Sequence, residues 1–121
     1  MNFTAKIFFN GEKVRIPAYK KWLWKQSCIW CGKSAPSIQS HVGSGTDKRL
    51  QDQHSCSSCC LCHDLWHGKT VILNGIKHIP LTKEQKQEIR QRTVRQFGQW
   101  LETLPIKKRQ KIMSEIQRGK Q

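Results

Sequence analysis

The chain has 121 residues and carries 22 Lys and Arg against 8 Asp and Glu, a formal charge of +14. That length makes one domain with a modest core and excludes two independent ones. The charge suits a polyanion, of which nucleic acid is the commonest. No long apolar run supports a membrane span. The opening MNFTAKIFFNGEK lacks the apolar core and cleavage site of a signal peptide. The six cysteines are therefore expected to stay reduced in a cytoplasm, where metal binding is favoured over disulfides.

Residues 3–16 read FTAKIFF, NG, EKVRI. Asn10-Gly11 between two β-prone runs predicts a hairpin, because a type I′ turn needs positive φ at both central residues. Pro17 is expected to close the second run, and AYKKWLWKQS (18–27) to form a short helix feeding the first cysteine pair. Residues 28–68 hold nearly all the Cys and His, and VILNGIKHI (71–79) repeats the hairpin signature around Asn74-Gly75. Thr82 with Gln85 fits a capping box, with Pro80 at the entry. Ile89, Thr93, Phe97, Trp100, Leu101 and Leu104 then fall on one helical face. Pro105 breaks that helix and starts another, IKKRQKIMSEIQRGKQ, with six Lys or Arg and Glu115 as its one acid.

Cys28-Ile-Trp-Cys31 is a CxxC, a spacing at which two thiolates grip one zinc. CSSCCLCHDLWHG (56–68) supplies the second half twice over: Cys56 with Cys59 and Cys59 with Cys62 both fit, and Cys60 is an extra. His63 follows Cys62 directly, His67 comes four residues later, and Gly68 suits a helix stop. CHDLWH is thus expected as a short helix with both histidines on one face, launched from a knuckle at Cys59 and Cys62.

In this order CIWC (28–31), SHV (40–42) and CLCHDLWH (60–67), with Cys59 opening the second pair, resemble the HNH endonucleases. The likeness is to the subtype of the ββα-metal fold braced by a four-cysteine zinc, found in small nucleases and recombination proteins of phages and prophages. It covers about residues 25–68. It implies that Cys28, Cys31, Cys59 and Cys62 bind a structural zinc. It makes His41 the general base that takes a proton from the attacking water, a role suited to imidazole near neutral pH. It makes His63 a ligand of a catalytic divalent cation, magnesium or a related metal, which stabilises charge on the scissile phosphate. His67 is a candidate supporting ligand. His54 stands where the family often has Asn, and would hold the loop, orient His41 or join the metal. Ser40 stands where the family commonly has an Asp or His ligand, with Asp47 or Asp52 as candidate substitutes.

Lys107, Lys108, Arg109 and Lys111 form a cluster scarcely balanced by acids, suited to phosphate contacts without sequence preference. Lys20, Lys21 and Lys25 extend the same surface. Trp66 and Trp100 are expected in the core, Trp30 less so, and His78 reads as an ordinary strand residue. GSGTDK (43–48) and HGKT (67–70) lack Walker spacing, which rules out nucleotide hydrolysis on that pattern. The glycines of the first suit a tight turn inside a ββα unit.

The expected protein is a single α+β domain. A hairpin and lead-in occupy 1–24, a zinc-braced ββα-metal (HNH) core 25–70, a second hairpin 71–80 and two basic helices 81–121. Its expected activity is that of a metal-dependent HNH-type DNA endonuclease, in phage DNA recombination or processing, with zinc structural and magnesium or another divalent cation catalytic. Its expected place is a bacterial or phage-infected cytoplasm, with DNA its partner ahead of RNA and no membrane. The alternatives are an inactive zinc-stabilised nucleic-acid-binding module and an adaptor docked on an acidic host protein.

Overall fold

Phe8–Asn10 (β1) and Lys13–Arg15 (β2) pair antiparallel, with Phe8 opposite Arg15 and Asn10 opposite Lys13. Asn10 is therefore a paired strand residue and not a turn centre. The computed structural model describes residues 8–10, 13–43 and 51–119. Gly11, most of the GSGTDK loop and Asp47 lie outside the described residues.

Pro17 starts a helix where the sequence suggested only the end of a strand. Helix α1 runs Pro17–Trp24, with Pro in the first turn, where its fixed φ suits the helix and its missing N–H costs nothing. Ile16, the N-cap, gives its amide to Asp52 Oδ2 at 2.6 Å, so a carboxylate sits at the positive end of α1. Strand β3 (Ile38–His41) pairs antiparallel with β4 (Ser55–Ser58), placing Ser40 opposite Cys56 and His41 opposite Ser55. A 3-10 turn at Asp52–His54 leads into β4. Helix α2 (Cys60–Trp66) follows at once, so the order along the chain is strand, strand, helix.

All four residues of β4 are buried. Its sequence, SCSS, has no large side chain, and so helices can approach it from outside, provided its polar groups find partners. Tyr19 of α1 donates to the Ser55 carbonyl at 2.7 Å. Gln96 serves the same open edge two residues on, accepting from the Ser57 amide at 3.0 Å and donating to its hydroxyl at 2.7 Å.

Val71–Leu73 (β5) and Ile76–His78 (β6) form the second hairpin. Its turn has φ of 52° at Asn74 and 77° at Gly75, the positive pair expected of a type I′ turn. Helix α3 (Lys83–Glu102) starts in the expected capping box, with Gln85 N donating to Thr82 Oγ1 at 3.1 Å and Thr82 N to Gln85 Oε1 at 2.8 Å. Helix α4 is Ile106–Gly119. The predicted face of α3 is buried at Ile89, Thr93, Phe97 and Trp100, Leu104 is buried just beyond the helix, and Leu101 is half-buried. Val14, Ile16, Tyr19, Leu23, Ile112 and Ile116 complete the main core between β2, α1, α3 and α4. The protein is thus a small α+β fold. Among the described residues no helix is long and apolar enough to cross a membrane.

Candidate metal centre and active site

The ligating atoms of Cys28, Cys31, Cys59 and Cys62 all lie within 4.8 Å of one another. Four sulfurs bound to one zinc at about 2.3 Å would stand about 3.8 Å apart, and Cys31 Sγ lies 3.6 Å from Cys59 Sγ. Two knuckles build the cluster. The first bends back through a Gly32 N–H bond to the Cys28 carbonyl at 3.1 Å. The second is the N-terminus of α2, where the Cys62 amide donates to Cys59 Sγ at 3.4 Å. Of the two registers, this is the one at Cys59 and Cys62. Cys56 is buried elsewhere, in a cluster with Val42 and Ile89, and burial pushes its thiol up to about 12. Cys60 is exposed.

The charge state of the cluster fits a cation. The Cys62 thiol beside it, against the opposing effect of burial, holds Cys28 below the ordinary thiol range. The same contact, with burial, drives Cys62 far above the ordinary thiol range. Four thiols this close cannot all ionise without a positive charge among them. The donor set therefore suits a metal ion.

Beyond the knuckle α2 carries His63 and His67, whose rings meet edge to face with centroids 4.5 Å apart. Gly68, with φ of 82°, ends the helix as its position suggested. His63 Nδ1 lies 3.1 Å from Ser40 Oγ. When Nδ1–H donates to that hydroxyl, Nε2 keeps the lone pair a metal needs. Burial first, then the charges of His67, Lys69 and His41 nearby, hold His63 below the usual imidazole range, against Asp64. The neutral, ligating form is favoured.

Ser40 and His41 are consecutive on β3 and so face opposite ways. Ser40 meets α2, while His41 Nε2 meets Asp52 Oδ1 at 2.9 Å. Burial alone would raise the Asp52 carboxyl, but bonds from His41 and the Ile16 amide, with the charge of Arg15, hold it below the ordinary range. An ionised carboxylate only accepts, and so His41 donates from Nε2, which in the neutral ring leaves the lone pair at Nδ1. The His41 side chain is 28% exposed, open enough for water to reach it.

One expectation needs correction. Asp52 does not substitute for a ligand at Ser40: its oxygens are engaged by Ile16, Arg15 and His41. Among the described residues the four cysteines are the one group of three or more His, Cys, Asp or Glu poised on a single point, so no three-ligand set forms around His63. The His54 carbonyl accepts from the Val42 amide at 2.9 Å and prolongs the strand pairing.

Cations of α3 that the sequence did not single out pin the site together. Arg90 donates to the Val42 carbonyl at 3.0 Å and lies over Trp66, with Lys86 over the same ring. Arg92 donates to the Ile29 carbonyl at 3.0 Å and lies over Trp30. Both tryptophans are half-buried, so Trp66 is less enclosed than expected. In α4 Lys107 and Lys111 are exposed and Lys108 is half-buried, whereas Arg109 turns back to the Leu104 carbonyl at 3.3 Å. No family model, curated protein or solved structure matches this chain.

Proposed function

We propose that the chain is an HNH-type endonuclease that hydrolyses phosphodiester bonds in DNA, with zinc bracing its four-cysteine centre. The supporting observation is the pairing of His41 with buried Asp52 on β3, next to the contact between Ser40 and His63 of α2. The two imidazoles thus contact neighbouring residues of one strand, His41 itself on one face of β3 and His63 against Ser40 on the other.

In this mechanism Asp52 keeps His41 Nε2 protonated, and Nδ1 takes the proton of the attacking water. The carboxylate then stabilises the imidazolium that results. His63, with His67 beside it, would hold a divalent cation such as magnesium, which when bound supplies positive charge to the scissile phosphate. With few protein ligands, that cation would be completed by water and the phosphate itself, and a donor set of imidazoles without a carboxylate would suit manganese or another transition ion better than magnesium. Lys107 and Lys111 supply phosphate contacts of no sequence preference. Nicking of supercoiled plasmid that requires magnesium or manganese, and is lost in His41→Ala, tests the proposal.

A second reading is favoured by Ser40, a hydroxyl facing His63 where a carboxylate would give a stronger ligand. The same fold would then bind nucleic acid without cutting it, or dock on an acidic protein. Salt-sensitive DNA binding unchanged by His41→Ala, with no cleavage, would support the binding module. A pull-down that survives nuclease treatment would support the adaptor.

A further inference from the structure

The β5–β6 hairpin is a projection with no core of its own. Ile72, Ile76 and Ile79 are 72%, 61% and 65% exposed, and Leu73 is exposed beside them. The pairs Ile72–Lys77 and Leu73–Ile76 lie on opposite faces, so the hairpin exposes apolar side chains on both, and such exposure marks a contact element. Its stem is fixed to α2 at both ends: Lys69 N donates to the Asp64 carbonyl at 3.1 Å, and Leu81 N to the Leu65 carbonyl at 3.2 Å. The hairpin therefore moves with the helix that carries His63 and His67. In the register Ile72 stands directly opposite Lys77, so an apolar side chain and a cation share one face. Lys69, also exposed, precedes the first strand.

We infer that this hairpin is a wedge that enters a groove of duplex DNA and inserts isoleucine between base pairs, kinking the substrate beside the α2 histidines. The inference rests on the proposed function and deepens it, by naming a deformable duplex as the substrate. Charge selects an anionic occupant. A second copy of the chain would bring +14 against +14, whereas a duplex offers phosphates to Lys77, with Lys69 paired to Asp64 at 3.7 Å beside it, while its base steps accept the apolar side chains. An anionic lipid surface would meet the same lysines, and vesicle binding in the test below separates it from a duplex. Isoleucine is among the residues that open base steps in this way, with kinks of about 20–90°.

The test uses zinc-loaded His41→Ala protein without added magnesium, and a duplex of about 25 base pairs that carries 2-aminopurine and a dye at each end. Binding should raise the 2-aminopurine fluorescence and draw the dyes together. In the same background Ile72→Ser with Ile76→Ser should bind about tenfold more weakly or worse, leave the fluorescence unchanged and keep the duplex straight. Both side chains are exposed, so zinc content and melting temperature should match those of the parent. Equal bending and unstacking by the two proteins overturns the wedge. So does a dimer in sedimentation that the double substitution dissociates, or isoleucine-dependent binding to anionic vesicles without duplex unstacking. The two proposals fail separately: plasmid cleavage by the wild type that the double substitution leaves intact removes the wedge alone. Absence of both duplex binding and cleavage in the wild type removes the endonuclease reading as well.

Discussion

His41 Nε2 stands 2.9 Å from Asp52 Oδ1, and the other oxygen of that carboxylate accepts the Ile16 amide at 2.6 Å. One buried acid thus fixes the tautomer of the proposed base and ties β3 to the start of α1. Asp52→Asn keeps the shape but turns an amide N–H toward one of these donors. Leaving a buried donor unmatched costs about 1–3 kcal/mol. The variant should melt earlier and lose much of the ~10²–10⁴-fold that a well-placed base contributes, while keeping its zinc. Thermal melting, metal analysis and nicking rates measure the three effects.

The same carboxylate predicts a pH dependence. Its folded-state pKa is lowered, so its contribution to stability is present above the unfolded value of about 3.9 and disappears as pH falls through the folded value. Wild type should exceed Asp52→Asn in melting temperature from pH 7 down to about pH 5, and the gap should close below about pH 4. Metal release in acid affects both proteins alike and drops out of the difference.

The cysteines should separate cleanly. Cys31→Ser or Cys59→Ser should lose the metal and, with it, the folding free energy that a structural zinc supplies. Cys60→Ser should be neutral, because Cys60 is exposed. Cys56→Ser should retain one zinc per chain yet melt somewhat lower, since a hydroxyl replaces a thiol in an apolar pocket. Zinc lost from Cys56→Ser would mean that the other register is used in solution.

Ser40 offers a gain-of-function test. It is buried and 3.1 Å from His63 Nδ1, so Ser40→Asp puts a carboxylate beside that ring. Without a divalent cation the buried charge should lower the melting temperature. Added manganese should restore it, and should raise the melting temperature of Ser40→Asp more than that of wild type. Titration calorimetry should show tighter manganese binding at this site.

For the C-terminal cations, Lys107→Ala with Lys111→Ala should weaken DNA binding for all sequences alike. Each lost phosphate contact should reduce the log–log salt slope by about 0.9. Arg109→Ala should instead lower thermal stability, because its guanidinium reaches the Leu104 carbonyl at the end of α3.

What the sequence made legible was local. The knuckle at Cys59 and Cys62, the shared face of His63 and His67, the Asn74-Gly75 turn and the Thr82–Gln85 capping box each follow from spacings of five residues or fewer, within which backbone geometry decides which side chains meet. The buried face of α3 followed from its period. Polar partners far apart in the chain left no such trace. Asp52 reaches Ile16 across 36 residues and Gln96 reaches Ser57 across 39, and no periodicity marks either. Serines stand at all but one position of β4, and the whole strand is buried because α1 and α3 supply its hydrogen bonds.

The most direct measurement of the central claim is conversion of supercoiled plasmid by zinc-loaded protein, with magnesium or manganese, for wild type, His41→Ala and Asp52→Asn. The account predicts metal-dependent nicking by wild type, none by His41→Ala and much less by Asp52→Asn. Wild type that binds the plasmid without cutting it in either metal, with His41→Ala binding just as well, would contradict it and leave a zinc-braced binding module.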